Sequence, residues 1–461
     1  MLLTLQLLIV LAMILVGARK GGIALGIYGM VGVFILVFIF GLEPGTVPID
    51  VMLIIVSVIT ASAALQAAGG LDYMVNVARR FLRRHPSHIT FLGPLVTWLF
   101  CIVAGTAHTC YALLPIIAEI ARKEKVRPER PLSVATISAS LGCTGSPVSA
   151  ATAAILSEEI LGSRGISMQD VMLVTIPASL IAILVAALIQ NYIGKPLEQD
   201  PEYQRRLREG LLDQTDEDSV KRETSAAAHQ TGAAPCPAEN PSCSMLPAPS
   251  PARCAVLAFL LGVLLVVLFA IFPSLRPVVS GQPLSMTTTI EVVMMSTAAL
   301  ILLVGRADPG AAARGNVFAS GMNAMVAIFG VAWMGSTFFL GNQAVILGSV
   351  AGVFADYPLL FAVPLFVFSI MLFSQAATAR TLYPVGLALG VPPLMLLVLF
   401  PTVNGYFFLP NYPTEVAAIG FDRTGTTRIG RYVVNHSFQL AGFVITFVSI
   451  AVGYLIVTLL Y

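Results

Sequence analysis

Four polar interruptions fall inside otherwise apolar stretches of this chain. Gly105-Thr106-Ala107-His108-Thr109 and Cys143-Thr144-Gly145-Ser146-Pro147-Val148-Ser149 lie in the first half. Ser374-Gln375-Ala376-Ala377-Thr378-Ala379-Arg380 and Leu409-Pro410-Asn411-Tyr412-Pro413-Thr414-Glu415 lie in the second. Non-helical backbone at membrane depth must be met by protein or by a water-filled cavity. The half-helix N-termini at each break offer free N–H groups and a partial positive charge, which can hold an anion without a cationic side chain. Thr106, His108, Thr109, Ser146, Ser149, Ser374, Gln375, Thr378, Asn411 and Thr414 add hydroxyl, imidazole and amide groups. Breaks converging from both halves could grip a ligand with a carboxylate at each end.

Three side chains at the breaks have two readings each. Glu415 is the only carboxylate at a break. It is either a proton or cation site for coupling, or a solvated acid at the inner mouth; an unpaired charge at depth costs about 3 kcal/mol. His108 either donates to a carboxylate or carries a proton, or it makes a structural hydrogen bond. Arg380 either contacts or steers a dianion, or it pairs with an acid or snorkels to the outer surface.

The elements that must position these residues are membrane helices. Of 461 residues, 57% are hydrophobic and 11% charged, with mean hydropathy +0.87. That charge content is too low to cover a soluble protein of this size, and many segments reach the roughly 20 apolar residues that a bilayer core requires. The run 2–17 lacks the charge order of a cleavable signal and reads as a retained first helix. Spans follow at 21–41 and 50–68, then an amphipathic stretch at 71–86, a re-entrant hairpin at 88–121, a broken helix at 131–160 and a span at 171–193. Residues 194–252 are charged, then rich in Pro, Ala, Ser and Gly, and read as a disordered cytoplasmic linker. The second half repeats the order: spans at 253–272, 287–305 and 315–337, a weaker stretch at 340–356, a hairpin at 358–391, a broken helix at 392–420 and a final span at 434–460.

Two offsets support duplication. The hairpin tips, Gly105 and Ser374, are 269 residues apart, and the helix breaks, Cys143 and Leu409, are 266 apart. Each half makes five crossings, so the halves are inverted relative to each other. The expected fold is an all-α polytopic membrane protein of two inverted repeats, 1–193 and 253–461, with the site where the broken segments meet. In this topology 23 of the 26 Lys and Arg residues lie on one side, which the positive-inside rule makes cytoplasmic. Both termini then lie on the periplasmic side.

Catalysis is not expected. The chain has no His-Glu-x-x-His, P-loop or nucleophile elbow. Cys236 and Cys243 are spaced too widely for a zinc ribbon, and no cofactor or metal is expected. The basic clusters fit orientation in a membrane, not nucleic-acid binding.

With these residues in view, the chain resembles the anaerobic C4-dicarboxylate transporters of the Dcu (DcuA/DcuB) family. The resemblance spans all but residues 200–252. It rests on Ala61-Ser62-Ala63-Ala64-Leu65-Gln66-Ala67-Ala68-Gly69-Gly70-Leu71-Asp72, Gly105-Thr106-Ala107-His108, Arg127-Pro128-Glu129-Arg130-Pro131 and Ser146-Pro147-Val148-Ser149. In the second half it rests on Ser374-Gln375-Ala376-Ala377, Phe421-Asp422-Arg423-Thr424-Gly425-Thr426-Thr427 and Asn435-His436-Ser437-Phe438. Glu415 stands where the family pattern has Asp, Asn411 where Thr is common, and Arg380 where a small residue is expected.

The resemblance implies exchange of fumarate, malate or aspartate for succinate across the bacterial inner membrane, with proton-coupled uptake as a second mode. It implies an elevator movement of the ion-transporter-superfamily type. A homodimer follows by superfamily analogy alone, and a membrane sensor kinase is a partner of some family members. The rival readings are a carrier of another organic anion and a membrane sensor or co-regulator with little transport.

Overall fold

The computed structural model describes residues 2–20, 23–45, 47, 49–157, 160–212, 250–279, 282–372, 374–409, 412–428 and 436–461. The chain is mostly helical, as a backbone in lipid must satisfy its own hydrogen bonds. Its first part runs α1 (Leu2–Lys20), α2 (Ala24–Phe34, continued by a π-turn to Ile39), α3 (Ile49–Ala67), α4 (Gly70–Arg84), α5 (Ile89–Ala104), α6 (Leu114–Lys123), α7 (Glu129–Thr144), α8 (Ala150–Ile155) and α9 (Met168–Asn191). A short helix, α10 (Pro201–Arg208), follows. The second part runs α11 (Ser250–Ile271), α12 (Met286–Gly305), α13 (Pro309–Arg314), α14 (Asn316–Asp356), α15 (Ala362–Leu372), α16 (Gln375–Ala388), α17 (Pro393–Val398), α18 (Pro413–Phe421) and α19 (Ser437–Leu460). A two-residue β-hairpin, Val278–Val279 with Gln282–Pro283, joins α11 to α12.

Among the described residues, five helices are long and apolar enough to cross a membrane: Pro86–Ala104, Met168–Asn191, Pro251–Phe269, Thr287–Gly305 and Ser437–Leu460. Their outward faces carry bare apolar side chains, such as Leu303 at 76% exposure and Leu459 at 74%. Such exposure is untenable in water and ordinary against acyl chains.

The helices pack as two groups. In one, α3 lies against α12 and α11, and α14 lies against α2 and α3. In the other, α5 lies on α7, α19 on α9, and α15 on the 3-10 segment Phe400–Phe408. α14 touches α16, and α3 touches α8, so the groups meet along the broken elements. The α2–α14 seam is backbone on backbone: a Cβ at Gly26 would lie 2.0 Å from the Val326 carbonyl oxygen, and one at Gly330 1.9 Å from that of Gly26. Asn342 Nδ2 donates to Gln6 Oε1 at 2.7 Å, and the Gly45 N–H donates to Thr337 Oγ1 at 3.0 Å, fixing α14 to α1 and to the segment that follows α2.

Two features depart from the element boundaries read in the sequence. The stretches 315–337 and 340–356 form one 41-residue helix, α14. In the first half, Gly69 takes φ +71° and bends Met52–Ala67 away from Gly70–Arg84 by 72°. No residue of α14 has positive φ, so nothing turns the chain there. The beginning of the linker is also structured. Asp200 caps α10 by accepting from the N–H groups of Glu202 and Tyr203, and its other oxygen accepts from Arg127 at 2.6 Å. Arg206 donates to the Arg423 carbonyl at 2.9 Å. Composition alone does not show that these charges have partners far along the chain. Residues 213–249 lie outside the described residues.

Candidate functional site

The first-half break begins where α5 stops. Gly105 takes φ +68°, and its N–H closes the helix onto the Cys101 carbonyl at 2.9 Å. A Cβ at Gly105 would sit 2.6 Å from the Val148 carbonyl oxygen, so the tip lies directly against the break between α7 and α8. Ser146 Oγ donates to the Ile102 carbonyl at 2.6 Å and accepts from the Val148 N–H at 3.3 Å. Ser149 Oγ donates to the Cys143 carbonyl at 2.5 Å and accepts from the Thr152 N–H at 3.1 Å, capping α8. Both hydroxyls are buried, and both protons are committed to backbone carbonyls. In this structure, therefore, they tie the hairpin tip to the broken helix. Thr106 and Thr109 are only partly covered, and Thr109 Oγ1 donates to the Thr106 carbonyl at 3.1 Å. His108 lies in the 3-10 turn Ala107–Ala112, and its side chain lies outside the described residues.

In the second half, Ser374 caps α16 by accepting from the Ala377 N–H at 3.2 Å. Thr378 is buried and donates to the Ser374 carbonyl at 2.8 Å. Ser374 and Gln375 remain partly accessible. Gln375 Nε2 reaches the Ser140 carbonyl of α7 at 2.6 Å and Tyr406 OH at 3.3 Å, and it also donates to Asn404 Oδ1. The Tyr406 ring stacks on Tyr412 with centroids 4.2 Å apart. The break in this half therefore starts earlier than the polar run 409–415. α17 ends at Val398, Phe400–Phe408 winds as a tight 3-10 helix with Asn404 off helical geometry, and α18 begins at Pro413.

Ser140, Asn404, Tyr406 and Tyr412 thus meet at the same junction, and the sequence does not single them out. The available signal was Pro401 with the Asn404-Gly405 pair, a turn signature inside a Phe-rich run. Thr414 and Glu415 are buried in the first turn of α18, where an acid complements the helix dipole. Glu415 Oε2 is buried with no hydrogen-bond partner among the described residues. Asn411 lies outside the described residues. Arg380 is 8% exposed and donates to Ser157 Oγ at 2.6 Å, so its guanidinium is held inside the protein between α16 and the segment after α8.

The Thr106–Thr109 turn, Ser374–Gln375 and α18 thus converge on α7. The arrangement offers amide and hydroxyl donors beside the starts of α16 and α18. This suits an anion that must later leave, since dipoles and neutral donors bind it less firmly than paired cations.

A many-helix membrane protein with polar breaks packed at its centre is built as a transporter. The chain belongs to the anaerobic C4-dicarboxylate membrane transporter family, whose model matches residues 2–461. It is 40% identical over 458 residues to the anaerobic C4-dicarboxylate transporter DcuB of Escherichia coli O157:H7, covering 99% of this chain and 98% of that one. It is 38% identical over 456 residues to the C4-dicarboxylate transporter DcuA of Wolinella succinogenes, covering 99% of each. It is 40% identical over 456 residues to DcuA of Escherichia coli K12, covering 98% of this chain and 99% of that one. Among solved structures, the Alcanivorax borkumensis YdaH transporter aligns over 88% of this chain and 85% of its own, with a TM-score of 0.44 and 16% identity, too slight a likeness to carry an argument.

Proposed function

We propose that this protein exchanges C4-dicarboxylates, taking up fumarate, malate or aspartate against succinate across the bacterial inner membrane, with proton-coupled uptake as a second mode. The observation that carries the reading is the bond from Gln375 to the Ser140 carbonyl, which brings the second hairpin tip onto the broken helix of the first half. Thr106, Thr109, Ser374 and Gln375 are the partly accessible polar residues around that junction. A carboxylate at each end of a four-carbon chain matches donors supplied from two sides. Glu415, buried with one oxygen unpartnered among the described residues, is the group that fits a coupling proton.

The architecture we propose is a pair of inverted repeats, 1–193 and 253–461, in which α5–α9 and α15–α19 move against the remaining helices as an elevator. Both termini are periplasmic and the linker is cytoplasmic. Cysteines at Leu2 and Tyr461 labelled from outside intact cells would support that orientation; labelling only after permeabilisation would reverse it.

Counterflow in proteoliposomes tests the function. Labelled succinate inside should exchange for external fumarate, and citrate or a sugar acid should not drive the exchange. Exchange driven by those anions would make the protein a carrier of another class. Tight fumarate binding without flux would make it a sensor.

A further inference from the structure

Helix α4 leaves the end of α3 at 72° and so runs across the axis of that helix. Ala78 and Leu82 are buried and seat it on the protein. Its outer face is set by the 3.6-residue repeat: Tyr73, Val77, Arg80, Phe81 and Arg84 recur at spacings of three and four and share one side. Val77 is 47% exposed and Phe81 44%, so two apolar side chains stand out from the protein directly beside two exposed arginines. A further cation reaches this face from α11, where the Arg253 guanidinium lies 5.8 Å from the centre of the Tyr73 ring. The opposite flank differs. There Arg83 meets Glu119 at 3.6 Å, and Glu119 also holds Lys123 at 2.6 Å.

We infer that α4 with Arg253 is a binding site for anionic phospholipid, with Val77 and Phe81 entering the acyl layer and Arg80, Arg84 and Arg253 holding the headgroup phosphate. An in-plane helix with an apolar flank bordered by cations is the form that binds a charged lipid surface. Arginine suits phosphate because its planar fork donates two parallel bonds. The corresponding stretch of the second half, 340–356, carries no Lys or Arg and continues without a break in α14. The site is therefore a property of one half only. The inference is independent of which substrate the carrier moves.

The full chain, purified into nanodiscs of mixed phosphatidylglycerol and phosphatidylcholine, should enrich phosphatidylglycerol in its annulus. In detergent, phosphatidylglycerol should raise the melting temperature more than phosphatidylcholine does. Arg80→Gln with Arg84→Gln and Arg253→Gln should abolish both preferences, with enrichment falling on the order of fivefold for each arginine removed. Arg79→Gln with Arg83→Gln, which removes two arginines from the flank that carries Arg83, should keep them. If the triple variant does not fold, Arg84→Gln alone decides, since its enrichment should fall while its melting temperature in phosphatidylcholine is unchanged. Equal stabilisation by both lipids, or a triple variant that keeps the full preference, would overturn the assignment. So would inorganic phosphate giving the same stabilisation as the lipid.

Discussion

The side-chain amide of Gln375 donates to the main-chain carbonyl of Ser140 at 2.6 Å, although 235 residues separate them. The same nitrogen also faces Asn404 and Tyr406, so one amide ties α16 to both α7 and the Phe400–Phe408 segment. Gln375→Ala should raise the half-saturation constant for fumarate by roughly tenfold or more, the scale of a hydrogen bond to a charged group. Gln375→Glu should abolish exchange, because a carboxylate there would repel a dianion and confront the Ser140 carbonyl. Initial rates of counterflow across a fumarate series check both. A normal half-saturation constant in Gln375→Ala would remove this residue from recognition.

Gly105 is constrained by both backbone and space. Gly105→Ala must hold a left-handed conformation and place a methyl 2.6 Å from the Val148 oxygen. It should destabilise the protein by about 2–4 kcal/mol, combining the backbone and overpacking costs. Gly420→Ala, with nothing within 4 Å and ordinary φ, should leave stability intact. Thermal unfolding of both variants in one detergent makes the comparison.

Arg380 is buried on Ser157, and its substitution should act on stability before affinity. Arg380→Gln should cost about 2 kcal/mol, the scale of a hydrogen bond made by a charged group. Arg380→Lys should recover only part of this, lacking the guanidinium fork. Added salt should not change the result, because buried contacts are little screened. Melting temperatures and exchange kinetics at two ionic strengths test this. Normal melting with a raised half-saturation constant in both variants would instead make Arg380 a substrate ligand.

On the α10 side, Asp200 is opposed by burial. The Tyr203 N–H, the Arg127 guanidinium and the Glu202 N–H outweigh that burial and hold its carboxyl below its ordinary value of 3.8. Glu202 is drawn down to about 2 by hydrogen bonds from Arg205 and Arg206. A carboxyl with a lowered value in the folded state contributes stability above its unfolded value and loses it as pH falls through the folded one. The melting temperature should therefore fall as pH drops below about 4. Asp200→Asn should flatten that fall and cost about 3 kcal/mol at neutral pH, since it strips Arg127 of one buried partner.

Much of the position of the helix breaks is legible in residue types. Gly145 and Pro147 stand between α7 and α8, and Ser374 stands at the cap of α16, because backbone chemistry dictates where a helix can end. What lies hidden is long-range. Ser140 contributes a main-chain carbonyl from within a helix, and no side-chain pattern marks a carbonyl for such a role. Asn404 is masked by the phenylalanines around it. Ser146 and Ser149 look like ligand donors by type, yet their geometry spends them on backbone. The charges of 194–212 look like a linker until Arg127 and Arg423 are seen to receive them.

The α2–α14 seam sets an order of events during synthesis. Gln6 and its partner Asn342 are 336 residues apart, and Gly26 rests on a stretch of backbone made almost as late. At a translation rate of about 5–20 residues per second, the first two helices wait on the order of half a minute before their partner helix exists. During that interval their packing faces, glycine seam included, are open to other newly inserted helices. The first helices to enter the bilayer are thus among the last to be locked in place, and a ribosome stalled before residue 316 would leave them without that partner.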